Sequence, residues 1–181
     1  RLVQVGFMRR FDPAYAEMKS ILASGAIGKA LLFHCQHRNV SAAYSFEPEM
    51  AISNSAPHEF DIVRWLLDAE LTAISVFRPG GSGAAKTVPV LMVIETSQGQ
   101  LVNLEVNINA GYGYDVRGEL VGEKGSVSLR NPDVTTSNIA LAQSTSYPAD
   151  WRPRFAEAYR LQNIAWVKSL TSGNNTIAAS A

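Results

Sequence analysis

The chain has 181 residues, 46% of them hydrophobic, and its sixteen basic side chains balance sixteen acidic ones. That fits one domain with a sizeable core, and a net charge of zero argues against a nucleic-acid partner. No apolar run approaches the ~20 residues of a membrane span, no signal peptide opens the chain, and the lone cysteine rules out an intrachain disulfide; together these favour a cytoplasmic setting.

In chain order, Leu2 to Phe7 alternates like a short strand, and Asp12-Pro13 starts a helix by the cap-then-proline rule. Tyr15, Met18, Ile21 and Leu22 follow at helical spacing until Gly25 and Gly28 stop it. Lys29 to Arg38 is a strand, and Asn39 to Ser53 a loop long enough to carry function. A second helix enters through Asn54-Ser55-Ala56-Pro57-His58-Glu59-Phe60-Asp61 and ends near Asp68. Ser55 is the expected N-cap, Pro57 suits the first turn, and Glu59 and Asp61 complement the positive helix end. His58 therefore stands at a helix start, able to face a cleft.

The second half changes character. Leu71 to Phe77 is a strand, and Pro79-Gly80-Gly81-Ser82-Gly83 a flexible turn. Val88–Thr96 and Gln100–Ile108 form a hairpin about Ser97-Gln98-Gly99. Val102, Leu104, Val106 and Ile108 share one face, opposite Asn103, Glu105, Asn107 and Asn109. Tyr112–Val121 is a further strand, Glu123-Lys124-Gly125 a turn, Ser126–Leu129 another strand, and Thr135–Leu141 a sixth. A helix over Arg154–Leu170 closes the order. The pattern is α+β: a largely antiparallel, mixed open sheet with helices packed on one face. The chain lacks a Gly-x-Gly-x-x-Gly fingerprint, so it is not expected to be a dinucleotide-binding fold.

Five stretches together resemble the C-terminal domain of the glucose-fructose oxidoreductase / inositol dehydrogenase / rhizopine-catabolism (Gfo/Idh/MocA) family. They are Val3–Asp12, His34–Asn39, His58–Leu66, Tyr112–Val116 and Asp150–Phe155. The branch they resemble is that of the bacterial myo-inositol 2-dehydrogenases. The resemblance implies a glyceraldehyde-3-phosphate-dehydrogenase-like C-terminal domain spanning residues 1–181. An N-terminal Rossmann domain, with its glycine fingerprint and Glu-Lys-Pro motif, would be missing. The start at Arg1 without methionine and the uncapped end fit the expectation of a fragment, inactive alone.

The implied reaction is oxidation of a ring hydroxyl to a ketone, with hydride passing to NAD or NADP bound mainly by the missing domain. His58 matches the family's catalytic histidine, whose ordinary pKa near 6.5 suits proton transfer. The position four residues earlier, an aspartate in the family, is Asn54 here. An amide can hydrogen-bond a hydroxyl or an imidazole but brings no charge. By the same resemblance Met8, Arg9, His37, Asn39, Ser55, Tyr112 and Tyr114 contact a sugar or polyol substrate. Plainer roles compete for several: a strand-end cap for His37 and Asn39, a surface salt bridge for Arg9, an N-cap for Ser55, core packing for the tyrosines and for Trp151. His34 and His37 face opposite sides of a strand, so no metal site is expected there.

Implied partners are the substrate, the Rossmann domain, and further copies of the chain through the sheet face of Asn103, Glu105 and Asn107. The alternatives are a dehydrogenase or lyase-like relative acting on another sugar, or a domain that serves mainly subunit association.

Overall fold

The computed structural model describes residues 3–42, 47, 49–80, 88–130 and 136–172. Its elements are a 3₁₀ turn (Met8–Phe11), α1 (Pro13–Ala23), β1 (Ala30–Arg38), a π-helical turn (Ala51–Ser55) and α2 (Pro57–Leu67). Next come β2 (Leu71–Phe77), β3 (Val90–Thr96), β4 (Leu101–Asn107), β5 (Asp115–Gly122) and β6 (Ser126–Ser128). A small hairpin of β7 (Ser137–Ile139) and β8 (Ala142–Ser144) precedes α3 (Trp151–Thr171).

Six strands form one open sheet in the order β2-β3-β4-β1-β5-β6. Only the central β1–β4 pair is parallel; the others run antiparallel. Alternation gives the sheet two unlike faces. On one, Phe33, Met92, Ile94, Val102, Leu104, Val106 and Leu120 are wholly buried. Each contributes roughly 1.5–3 kcal/mol from removing apolar surface from water. The helices pack on that face: α2 brings Ile62, Val63 and Leu66, and α3 brings Phe155 and Ala158. The opposite face carries Asn103, Glu105 and Arg38.

The Asp12-Pro13 start is observed. The Asp12 carboxylate accepts from the backbone N–H of Ala14 at 3.1 Å and of Tyr15 at 3.2 Å. It also takes Arg154 Nη1 at 2.5 Å, so the α1 cap ties down α3. Gly25 has φ of +74°, a left-handed stop that a side chain would resist.

Several boundaries differ from expectation. Val3–Phe7 forms no strand. It turns through Phe7 N–H to Val5 O at 2.9 Å and Met8 N–H to Gly6 O at 3.0 Å, with Gly6 close to Gln162 of α3. Alternation makes a strand only where a neighbouring strand pairs with it, and this segment joins no sheet. Ser55 does not cap α2. Ala56 holds that place with helical φ and ψ and no side-chain cap, because the π turn feeds Ala51 O to Ala56 N–H at 3.0 Å. β5 starts at Asp115, so Tyr112 and Tyr114 precede it. The expected sixth strand shrinks to β7 and pairs with β8 outside the main sheet; Thr135 lies outside the described residues, as do Gly81, Ser82 and Gly83. α3 begins three residues early, capped by Asp150 accepting from Arg152 N–H at 2.8 Å. No helix among the described residues is long and apolar enough to cross a membrane.

Candidate functional site

At the C-terminal end of β1 a cavity of about 180 Å³ opens between β1, α2 and α3. β1 supplies His37 and, one step past its end, Asn39. His37 shares the buried side of the strand with Phe33 and Cys35. The Asn39 backbone stays in line with β4 through Asn39 N–H to Asn107 O at 2.8 Å. The π turn presents Asn54 and Ser55, α2 presents His58, and the 3₁₀ turn presents Met8. Tyr114 reaches in from the approach to β5, and Trp151 and Tyr159 of α3 close the wall.

Gly113 is what lets Tyr114 get there. A Cβ at this position would stand 2.1 Å from that of Tyr147. Only a glycine lets the backbone pass this close, so that Tyr114 N–H reaches Pro148 O at 2.8 Å. Burial pushes the Tyr114 phenol up to about 12, partly offset by the Arg9 cation, so the phenol stays protonated at neutral pH. Its ring meets His37 edge-on at 6.0 Å.

His58 is half-buried, with its ring 6.2 Å from Phe7 in a T-shaped contact. Burial first, and then the nearby Arg9 cation, lower its pKa to about 4. The ring is therefore a neutral imidazole at pH 7, and its Nδ1 is buried without a hydrogen-bond partner.

Beneath the cavity lies a dry ionic cluster. Glu59 is 1% exposed and Arg9 2%. The Glu59 carboxylate takes Arg9 Nη1 on Oε1 and faces His37 Nδ1 with Oε2 at 3.1 Å. Burial alone would raise the Glu59 pKa; Arg9 and His37 outweigh it and pull it down to about 2. Arg9 also lies under the Phe155 ring, its Cζ 5.5 Å from the centroid.

Of the nine residues singled out from sequence, Met8, His37, Asn39, Asn54, Ser55, His58 and Tyr114 line one cavity. Two do not. Arg9 is neither a surface ion pair nor a cavity wall, because Glu59 claims it in the core. Tyr112 is 45% exposed and turns to the other face of the sheet, donating to Asp115 Oδ2 at 2.7 Å and accepting from Arg38 Nη1 at 3.0 Å. Sequence reasoning gave Glu59 only a helix-end charge. The signal was present: Glu59, Ile62, Val63 and Leu66 fall on one helical stripe, so this carboxylate had to be buried and needed a cation.

Among the described residues no group of three or more His, Cys, Asp or Glu side chains is placed to hold a metal ion. A wider concavity of about 310 Å³ lies on the open sheet face beside Gln36, Glu105 and Arg117. None of the buried, unpartnered polar atoms among the described residues belongs to it. The His58 cavity combines a neutral proton acceptor with amide, hydroxyl and phenol groups. That set suits a small molecule rich in hydroxyls. Its volume lies below the roughly 300 Å³ where drug-sized sites begin.

The model of the GFO/IDH/MocA C-terminal domain matches residues 15–128. Inositol 2-dehydrogenase 1 of Saccharopolyspora erythraea is 51% identical over 176 residues, 96% of this chain and 52% of that protein. Inositol 2-dehydrogenase of Streptomyces avermitilis is 42% identical over 179 residues, 97% of this chain and 52% of its own length. Among solved structures, myo-inositol dehydrogenase from Lactobacillus casei in complex with NAD(H) and myo-inositol superposes with a TM-score of 0.89 at 32% identity. That match covers 98% of this chain and 54% of the other. The chain thus spans about half the length of the curated relatives it matches.

Proposed function

Because the chain belongs to the GFO/IDH/MocA C-terminal domain family, we propose that it is the substrate-binding part of an NAD-dependent dehydrogenase acting on inositol or a similar cyclic polyol. The observation that carries this is His58: a neutral imidazole facing a cavity otherwise lined by hydroxyl-binding groups.

Dinucleotide binding needs a phosphate cradle, usually a glycine-rich turn leading into bare helix N–H groups. This chain has no such fingerprint, and the start of α2 is already bonded through the π turn. The cavity residues fit the polyol and not the dinucleotide, which falls to the part of the protein outside this chain. NAD, when bound there, supplies the hydride acceptor. The residues here do the rest. Asn39, Ser55 and Tyr114 hold ring hydroxyls, Trp151 and Tyr159 shield the ring from water, and His58 takes the proton of the reacting hydroxyl. Asn54, at the position where the resemblance expects a carboxylate, can orient that hydroxyl or the imidazole without strengthening the base.

In the full-length protein, His58→Gln should lower kcat for myo-inositol by about 10²–10⁴, the usual worth of a positioned acid–base group. A loss below tenfold would overturn the assignment. Asn54→Asp should raise kcat, because a carboxylate beside the ring strengthens it as a base; an unchanged or lower rate would show that Asn54 is not a weakened catalytic position.

We infer self-association through the open sheet face from its exposed apolar side chains. Phe77, Leu91 and Leu101 stand exposed there among Asn103 and Glu105. Sedimentation of the full-length protein with Leu101→Lys should show a smaller species than the wild type; an unchanged mass would remove this face from the interface.

A further inference from the structure

The cavity holds two imidazoles, and their surroundings make them unlike. His37 is 5% exposed, and its Nδ1 stands 3.1 Å from Glu59 Oε2. The other oxygen of Glu59 is held by Arg9. An ionised carboxylate only accepts hydrogen bonds. A lone pair on His37 Nδ1 would face a lone pair on Oε2 at that distance, so the proton of the neutral ring belongs on Nδ1. Its Nε2 then carries a lone pair on the cavity side.

We propose that Glu59, anchored by Arg9, is a positioning residue that fixes His37 as its Nδ1–H tautomer, so that His37 reads one substrate hydroxyl as a hydrogen-bond donor. His58 has no such partner: its Nδ1 is buried and unbonded, so no carboxylate fixes the tautomer of that ring. One imidazole is locked for recognition; the other carries no such lock and is the one assigned the proton of the reacting hydroxyl. The proposal rests on the polyol reading for the identity of the hydroxyl, but not for the state of the ring.

Glu59→Gln reverses the polarity. Arg9 offers only donors, so the glutamine oxygen must turn to Arg9. The amide NH₂ then faces His37 Nδ1, and the ring must carry its proton on Nε2. Glu59→Asp shortens the side chain but keeps an acceptor in place.

The test uses full-length protein labelled with ¹⁵N-histidine, without substrate, at mildly alkaline pH. Two-bond ¹H–¹⁵N correlations, assigned by the signals lost in His37→Gln, should show His37 protonated at Nδ1 in the wild type and in Glu59→Asp. In Glu59→Gln the pattern should invert. An Nε2–H ring or an imidazolium in the wild type overturns the proposal, whatever the variants do.

The kinetic arm uses myo-inositol and its monofluoro-deoxy analogues, in which one hydroxyl is replaced by a group that accepts but cannot donate. In Glu59→Gln the hydroxyl can reverse and accept from Nε2–H, so KM for myo-inositol should rise by less than the roughly tenfold that losing a whole hydrogen bond would give, with kcat within about threefold. At one ring position the fluoro analogue should bind worse than myo-inositol to the wild type, and regain that loss in Glu59→Gln. The same ranking of analogues in both proteins overturns the donor-reading role. If the wild type oxidises no cyclic polyol, the substrate reading falls, and the ring state is still decided by the spectrum.

Discussion

His37 and Arg38 are neighbours on β1, and each ends in a cluster of charges on its own side of the sheet. On the covered side Arg9, Glu59 and His37 are all but sealed, with side-chain exposures of 2%, 1% and 6%. On the open side Arg38 grips Glu105 through two bonds of 2.7 and 2.6 Å, at exposures of 26% and 28%. That ladder continues through Tyr112, Gln36 and Arg117, which gather around the covered carboxylate of Asp115. The chemistry is nearly the same, a guanidinium on a carboxylate with a ring or phenol beside it. Water makes the difference. Where it reaches, it replaces a lost partner at little cost; where it does not, the remaining charge is stranded.

The contrast can be broken most forcefully at Arg9. Arg9→Met keeps the volume but leaves Glu59 buried without its cation. We expect a loss of about 3–5 kcal/mol in urea unfolding, the usual penalty for removing one partner of a sealed pair. A loss under about 1 kcal/mol would mean that the cluster is no drier than the ladder across the sheet.

Acid probes the cluster and the cavity above it without mutation. The His58 pKa is lowered from 6.5 to about 4, so between those values the unfolded chain binds a proton that the folded chain refuses. Stability is intact above pH 6.5 and declines as pH falls toward 4. The Glu59 pKa is lowered from 4.5 to about 2, so its contribution is present above 4.5 and is lost as pH falls toward 2. Urea midpoints should therefore drop in two overlapping stages, and His58→Gln should delete only the upper one. A flat profile between pH 6.5 and 4.5 would deny that His58 is held neutral.

The smallest effect belongs to the open side. A double-mutant cycle of Arg38→Ala and Glu105→Ala should return a coupling of about 0–1 kcal/mol that shrinks as salt is added. A coupling above about 2 kcal/mol would show that this face is covered in the intact protein.

Much of the architecture was legible because it rests on short-range rules. The Asp12-Pro13 cap, the hairpin around Gly99 and the alternation from Val102 to Ile108 each depend on a few adjacent residues. Most of the cavity wall was legible too, since the motifs about His58 and His37 mark it. What escaped depends on partners distant in sequence. Nothing near Arg9 announces that Glu59, fifty residues on, will bury it. Nothing near Tyr112 says that β5 starts three residues later, which turns its phenol to the far side of the sheet. The Ser55 cap failed for a different reason: a serine before Pro57 satisfies the capping rule, but the preceding turn had already met the backbone donors.

That turn has a consequence for how the wall can vary. A π turn holds one residue more than an α turn and commonly marks a single-residue insertion into a helix. Removing one residue between Ala51 and Ser55 would let the chain close into an ordinary α-helical turn continuous with α2. The side chains of the turn that precede the deletion would then swing by about 100° around the helix axis, while His58 and Glu59 kept their places on α2. The wall beside His58 is thus governed by chain length as well as by composition. An indel of one residue in this turn would therefore reshape the wall beside His58 more than a substitution of Asn54, and would leave His58 itself in place.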